Sequence, residues 1–201
     1  MNPRALAAEL FGTFSLALAV LISINNPDFG VATAWIAGVT LGLFVYTIGP
    51  ISGCHINPAV TIGLATLGKI DLRNAIAYIA AQLLGAALAL GLGHILFASP
   101  VELTVLNTAG TGLAEALGTV VFLFGISAVV LELVPKEVSG VVIGGSLFLG
   151  ISWAAHASNG ALNPAVALGI GSLSFAYVWG PVAGAVVGAQ LLRALSRSVK
   201  G

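Results

Sequence analysis

The sequence has very few charged residues. Only 7% of its 201 residues are Asp, Glu, Lys or Arg, whereas about 25% is usual in soluble domains. Hydrophobic residues make up 58%, and the mean hydropathy is +1.08. So few polar groups cannot cover a water-exposed surface. The composition therefore excludes an ordinary soluble domain and favours a protein that lies in the lipid bilayer.

The sequence also contains little cysteine and no excess of charge. Cys54 is the single cysteine, which excludes an internal disulfide and zinc-type Cys-x-x-Cys spacing. Seven basic and seven acidic residues give a formal net charge of zero, which argues against a nucleic-acid partner. Neither a Gly-rich phosphate loop nor a recognisable Ser, His and carboxylate arrangement is found. We therefore expect no enzyme, no metal site and no cofactor.

The apolar residues are grouped in stretches that can cross a membrane. A transmembrane helix needs about 20 mostly apolar residues. We predict six such spans, at about 5–24, 31–49, 74–97, 110–131, 138–157 and 175–195. Two further apolar segments, 57–68 and 163–173, are too short to span. The first stretch lacks a clear signal-peptide cleavage site before a soluble domain, so we interpret it as a span.

The two halves of the chain carry the same pair of motifs. Ala-Glu-Leu-Phe-Gly-Thr around Glu9 resembles Ala-Glu-Ala-Leu-Gly-Thr around Glu115, and Asn-Pro-Ala-Val occurs at both Asn57 and Asn163. Both pairs are 106 residues apart (9 to 115 and 57 to 163). Three spans per half reverse the direction of the second half, which predicts an inverted repeat. We expect one membrane domain over 1–201, with repeats at about 1–98 and 107–201.

Each short segment opens with Asn-Pro-Ala, which suits the start of a helix. Asn caps the helix through its side-chain oxygen, and Pro fits the first helical position. The motifs comprise Asn57, Pro58, Ala59, Asn163, Pro164 and Ala165. In an inverted repeat the two Asn residues should meet near the bilayer midplane, where their amide NH₂ groups donate into a pore.

The backbone before each Asn must be irregular to reach such a position. Irregular backbone at membrane depth is tolerated only where it is buried or lines a water-filled cavity. Its carbonyls could then form a ladder of acceptors along a pore. The residues predicted to supply these carbonyls are Gly53, Cys54, His55, Asn159, Gly160 and Ala161.

The basic residues predict the orientation of the chain. If both termini are cytoplasmic, the inner segments contain every basic residue, namely Arg4, Lys69, Arg73, Lys136, Arg193, Arg197 and Lys200. The outer loops then hold only Asp28 and Glu102 as charged residues. Because cytoplasmic loops carry the excess of Lys and Arg, we expect a multi-pass protein of the cell membrane with both termini inside.

These features together resemble the major intrinsic protein (aquaporin) family. The resemblance rests on Ser-Gly-Cys-His-Ile-Asn-Pro-Ala-Val-Thr at 52–61, the second Asn-Pro-Ala and the two Ala-Glu segments, and it covers nearly the whole chain. It implies an all-α membrane fold with six transmembrane helices and two re-entrant half-helices in an inverted 3+3 repeat. It also implies a homotetramer with one pore per subunit. The expected function is a passive channel for water, small uncharged solutes or both.

The resemblance further implies a narrow selectivity filter on the outer side of the Asn pair. Members of the family typically carry Arg directly after the second Asn-Pro-Ala, whereas this chain has Val166. Counting without gaps places the other filter positions on Ala37, Ile151 and Gly160. Since none of the four is aromatic or charged, we predict a filter that is wider and more apolar than a strict water filter.

Glu9 and Glu115 leave a second hypothesis open. Carboxylates within membrane spans are often functional, and a protonatable pair could drive a proton-coupled small-solute transporter. The resemblance instead suggests that each carboxylate accepts backbone N–H bonds and braces a re-entrant loop, and that His55 braces the loop beside Asn57. A third possibility is a structural membrane protein with a closed pore. The identity of any solute other than water stays open at this point.

Overall fold

The computed structural model describes residues 2–26 and 32–197. Asp28, Val31 and Lys200, which enter the sequence predictions, lie outside the described residues, as does the side chain of Arg197. Within the described ranges the chain forms helices and no strands. They are α1 (Pro3–Ile24), α2 (Thr33–Thr47), α3 (Gly49–Ser52), α4 (Pro58–Thr66), α5 (Leu72–Leu96), α6 (Ala109–Val130), α7 (Ser139–Ala154), α8 (Pro164–Gly169) and α9 (Ala176–Arg197). This confirms the predicted all-α fold.

The predicted spans agree with the observed helices to within a few residues, with one difference in length. Helices α1, α5, α6 and α9, and α7 together with the 3-10 turn Lys136–Val138 before it, are long and apolar enough to cross a membrane. Helix α2 has only 15 residues, a rise of about 22 Å against a hydrocarbon core of about 30 Å. It stops before Pro50 because proline lacks an N–H and its ring clashes with the preceding turn.

The repeat seen in the sequence is reproduced by the helices. Helices α1 and α6 begin at residues 3 and 109, α2 and α7 at 33 and 139, and α4 and α8 at 58 and 164. Each pair is therefore offset by 106 residues, the offset of the sequence motifs. Helix α1 packs against α5 as α6 packs against α9, while α2 contacts α7 and α4 contacts α8 across the centre. The short helices α4 and α8 are thus held in the middle of the fold.

Glycines allow the long helices to approach each other closely. A Cβ atom on Gly184 of α9 would overlap the carbonyl of Ala116 on α6, and one on Gly85 of α5 would overlap the carbonyl of Leu10 on α1. Contact between backbones of this kind is typical of membrane helix pairs. The same two pairs, α1 with α5 and α6 with α9, flank the short helices that carry the Asn-Pro-Ala motifs.

Polar caps satisfy the free N–H groups where several helices begin at the membrane surface. The side chain of Asn2 accepts a hydrogen bond from the backbone N–H of Arg4 (3.0 Å) at the start of α1. Asp71 does the same for Asn74 at the start of α5. The hydrogen bonds from the backbone and side chain of Asn74 lower the pKa of the Asp71 carboxyl. The Asp71 carboxylate therefore stays ionised at neutral pH, and its negative charge interacts favourably with the positive end of the α5 dipole.

Candidate functional site

The two Asn-Pro-Ala motifs form matching helix starts at the centre of the molecule. Asn57 is extended (φ −161°), and its Oδ1 accepts hydrogen bonds from the N–H groups of Ala59 (2.8 Å) and Val60 (3.4 Å). Asn163 caps α8 in the same way, with Oδ1 to the N–H groups of Ala165 at 3.0 Å and Val166 at 3.3 Å. Both predicted caps are therefore present in the structure.

The amide groups of the two Asn residues also join the two halves of the chain. Asn57 Nδ2 donates to the carbonyl of Leu162, and Asn163 Nδ2 donates to the carbonyl of Ile56, both at 2.9 Å. The sequence prediction assigned these amides to the pore alone and missed the bonds across the centre. An amide NH₂ has two hydrogens, so each Asn keeps a second hydrogen after making its bond.

Glu9 is buried and holds the first re-entrant loop. Its carboxylate accepts hydrogen bonds from Ser52 Oγ (2.6 Å), the N–H groups of His55 (2.9 Å) and Ile56 (2.6 Å), and Gln82 Nε2 (2.8 Å). The carboxylate satisfies backbone donors that no helix or strand could satisfy at this depth. This geometry agrees with the bracing hypothesis for Glu9.

Glu115 holds the second loop in the corresponding way. It accepts hydrogen bonds from Ser158 Oγ (2.7 Å) and from the N–H groups of Ala161 (3.0 Å) and Leu162 (2.6 Å). Leu162 has φ +49°, and the equivalent Ile56 has φ +39°. Such backbone costs on the order of 1–3 kcal/mol for a residue with a side chain and persists only where its surroundings fix it. The two carboxylates provide that fixation.

The first half contains a polar network that sequence reasoning missed. His55 Nδ1 lies 3.2 Å from Thr61 Oγ1, Gln82 Nε2 donates to Thr61 Oγ1 at 3.0 Å, and the His55 ring meets Tyr78 edge-on. The sequence feature that could have revealed this network is Gln82, an amide in the middle of an otherwise apolar span, which is buried in the structure. These contacts agree with the bracing role predicted for His55.

The second half fixes its loop with different side chains. The backbone N–H of Asn159 donates to Tyr177 Oη at 2.8 Å, and Asn159 Nδ2 donates to Ser172 Oγ at 2.8 Å. Tyr177 is completely buried. No local pattern identified Tyr177 or Ser172, because both lie beyond the motif and reach the loop only through the tertiary fold.

A cavity with a volume of about 380 Å³ lies on the side of loop 97–108, and we call it the outer cavity. All four residues predicted for the filter line it, namely Ala37, Ile151, Gly160 and Val166. Asn57 and Asn163 line it too, as do four residues of the predicted carbonyl ladder, His55, Asn159, Gly160 and Ala161. No charged side chain is among its lining residues within the described part of the chain. The gap-free placement of the filter therefore brings its four residues to one cavity.

A second cavity of about 280 Å³ lies on the opposite side of the Asn pair, and we call it the inner cavity. Gly53, Cys54 and His55 of the predicted carbonyl ladder line it, and Lys136 is its one charged lining residue in the described ranges. His55 lines both cavities. Neither Glu9 nor Glu115 lines either cavity, so both carboxylates lie behind the pathway wall.

Comparison with known proteins identifies the family. The family model described as Major intrinsic protein matches residues 2–110. Aquaporin NIP1-1 of Zea mays is 34% identical over 206 residues, covering 92% of this chain and 72% of the relative. The chain belongs to the major intrinsic protein family. Aquaporin AqpM of Methanothermobacter thermautotrophicus is similarly 34% identical over 187 residues, covering 77% of this chain and 74% of the relative.

A solved structure supports the same fold. The aquaglyceroporin from Plasmodium falciparum superposes with a TM-score of 0.72 at 21% identity, over 98% of this chain and 96% of the other. Proteins of the major intrinsic protein family are membrane channels and not enzymes. This chain is accordingly a multi-pass, passive channel for water and small solutes, as predicted. The comparisons give no support to the proton-coupled transporter.

We expect that both motif asparagines are required for a stable pore. Replacing Asn57 and Asn163 together by Ala removes two helix caps, each worth about 1 kcal/mol, and two bonds across the centre, each worth about 0.5–1.5 kcal/mol. The double variant should melt at a lower temperature and lose most solute flux in liposomes.

The matched control is Asn2→Ala, which removes the cap of α1 away from both cavities. It should lose some stability and keep the flux. A double variant that folds, inserts and conducts with unchanged selectivity would contradict the assignment of the Asn pair to the pore.

Proposed function

We propose that this channel passes uncharged molecules up to about the size of glycerol as well as water, and excludes cations. The supporting observation is that Ala37, Ile151, Gly160 and Val166, proposed as the filter, all line an outer cavity of about 380 Å³. A single water needs about 10–15 Å³ on this kind of measure. The cavity beside the proposed filter therefore has room for many waters and for molecules larger than water.

The exclusion of cations follows from the charges and polar groups that line the pathway. The starts of α4 and α8 meet at the centre, and helix starts carry a partial positive charge. The polar side chains there are the two neutral amides of Asn57 and Asn163, and the one charge found along the described lining is the cation Lys136. A cation would lose its hydration without gaining an anionic ligand. Neutral solutes with hydroxyl or carbonyl oxygens can accept hydrogen bonds from the amides.

The arrangement of Glu9 and Glu115 argues against coupling to protons. Each carboxylate is occupied by hydrogen bonds to its loop, and neither lines a cavity. A coupling carboxylate must exchange protons with the pathway during each cycle. Release of either side chain would leave strained backbone at Ile56 or Leu162 without support. We therefore assign both to bracing.

The same proposal covers the assembly and its orientation. The single domain 1–201, with repeats at about 1–98 and 107–201, is supported by the equivalent hydrogen bonds of Glu9 and Glu115. Cytoplasmic termini in the cell membrane are supported by the distribution of Lys and Arg. A homotetramer is proposed because this assembly is typical of the family. Crosslinking in native membranes and protease protection of a terminal tag test these two points.

We expect purified protein in liposomes to raise the permeability to water and to glycerol, with flux proportional to the solute gradient. Stopped-flow light scattering measures both solutes, and a trapped pH dye measures protons. Imposed proton or sodium gradients should leave the flux unchanged, because the residues described along the two cavities include no anionic side chain. Flux that requires an ion gradient would refute the channel. Permeability equal to that of empty liposomes would support a closed, structural protein.

A further inference from the structure

The outer and inner cavities meet at a ring of three side chains. Leu41 of α2, His55 of the first re-entrant loop and Phe122 of α6 line both cavities, and they are the residues that the two linings share. Leu41 and Phe122 are each 2% exposed and His55 is 8% exposed. We call these three residues the collar. They come from three different elements of the fold.

The four residues of the predicted filter do not lie at the boundary between the two cavities. Its four residues line the same cavity as Asn57 and Asn163, so open space continues past the filter as far as the Asn pair. The space is interrupted on the inner side of the pair, at the collar. The boundary between the two cavities therefore lies one helical turn from Ala37, at Leu41, on the same face of α2.

We propose that the collar, and not the outer filter, sets the upper size limit of the transported solutes. This rests on the proposed function, since it concerns solutes that the outer cavity admits. Leu41 and Phe122 offer no hydrogen bonds, and His55 is the single polar side chain of the ring. A solute that passes the collar therefore loses hydrogen bonds to water and finds few protein groups that replace them. Each additional polar group or carbon of the solute raises the free-energy barrier to its passage.

The surroundings of the collar hold its side chains in place. His55 is fixed by Thr61 Oγ1 at 3.2 Å, by the edge of Tyr78 with ring centroids 5.2 Å apart, and by its own N–H bond to Glu9. Leu41 and Phe122 both belong to the main buried core. Tightly packed side chains yield little to a passing molecule. The collar should thus act as a ring of nearly constant width.

Leu41→Ala tests the proposal, with Leu147→Ala as the matched control. Both leucines are buried, at 2% and 3% exposure, so the two variants remove the same atoms from comparable sites. Leu147 lines only the outer cavity. We expect Leu41→Ala to raise the ratio of glycerol to water permeability on the order of tenfold, the change given by about 1.4 kcal/mol of barrier. Leu147→Ala should leave the ratio unchanged.

Two further variants keep the test decisive if Leu41→Ala folds poorly. Phe122→Leu should widen the collar and raise the ratio, whereas Leu41→Phe should narrow it and lower the ratio. Equal increases in Leu147→Ala and Leu41→Ala, or an unchanged ratio in both Leu41→Ala and Phe122→Leu at equal amounts of folded protein, would overturn the proposal. If the unsubstituted protein passes water alone, the proposed solute range is wrong, but the collar still predicts that Leu41→Ala gains glycerol flux.

Discussion

Replacing Glu9 by leucine is expected to prevent the channel from folding or to lower its melting temperature severely. The substitution leaves four buried donors without their acceptor, on Ser52, His55, Ile56 and Gln82. An unsatisfied buried polar group costs about 1–3 kcal/mol, so the total is comparable with the 5–15 kcal/mol that stabilises a typical protein. Thermal melting in detergent, followed by fluorescence, measures the effect.

The conservative and exposed variants separate bracing from coupling. Glu9→Gln keeps one acceptor oxygen and should be milder than Glu9→Leu, while the exposed Glu102→Leu should melt close to the unsubstituted protein. Glu115→Leu removes three hydrogen bonds and should also be severe. A Glu9→Leu protein that melts within a few degrees of the original would show that the carboxylate does not brace the loop. A folded Glu9→Gln protein that loses a proton-dependent flux would instead favour the transporter.

Val166→Arg is expected to lower glycerol permeability about tenfold, or ~1.4 kcal/mol of barrier, and to reduce water permeability less. Val166 lies in the first turn of α8, is 4% exposed and lines the outer cavity beside Asn163. Arginine is larger and adds a fixed positive charge with several donors. It should create a second narrow point above the collar and raise the barrier to cations, since charge is poorly screened in a low-dielectric pore.

Ala37→Phe distinguishes size from charge at the same level of the pore. It should also exclude glycerol, because Ala37 lines the same cavity, but it adds no charge and should leave any proton leak unchanged. Val166→Arg should reduce that leak. Stopped-flow light scattering gives the ratio of glycerol to water permeability for each variant, and a trapped pH dye gives its proton leak. If a correctly folded Val166→Arg protein changes neither quantity, the side chain at this position does not face the pathway.

Site residues could be predicted from the sequence only where they belong to short, recognisable segments. Asn57 and Asn163 were found because Asn-Pro is a local helix start and because the motif repeats. Glu9 was found because a carboxylate is unusual in an apolar span. Its partner Gln82 was missed, since an amide in a span has many possible roles until the helices that face it are known. The bonds between each Asn and the opposite loop were missed for the same reason.

The sequence by itself determined the membrane fold of this protein, its repeat of 106 residues and the starts of both half-helices at Pro58 and Pro164. Apolar length and helix capping act between near neighbours along the chain, and the recurrence of the motifs is visible in the sequence itself. Only the tertiary structure decided that Leu41, His55 and Phe122 line both cavities, because they come from three separate elements. Their meeting depends on how α2, α6 and the first loop pack, and no local pattern specifies that packing.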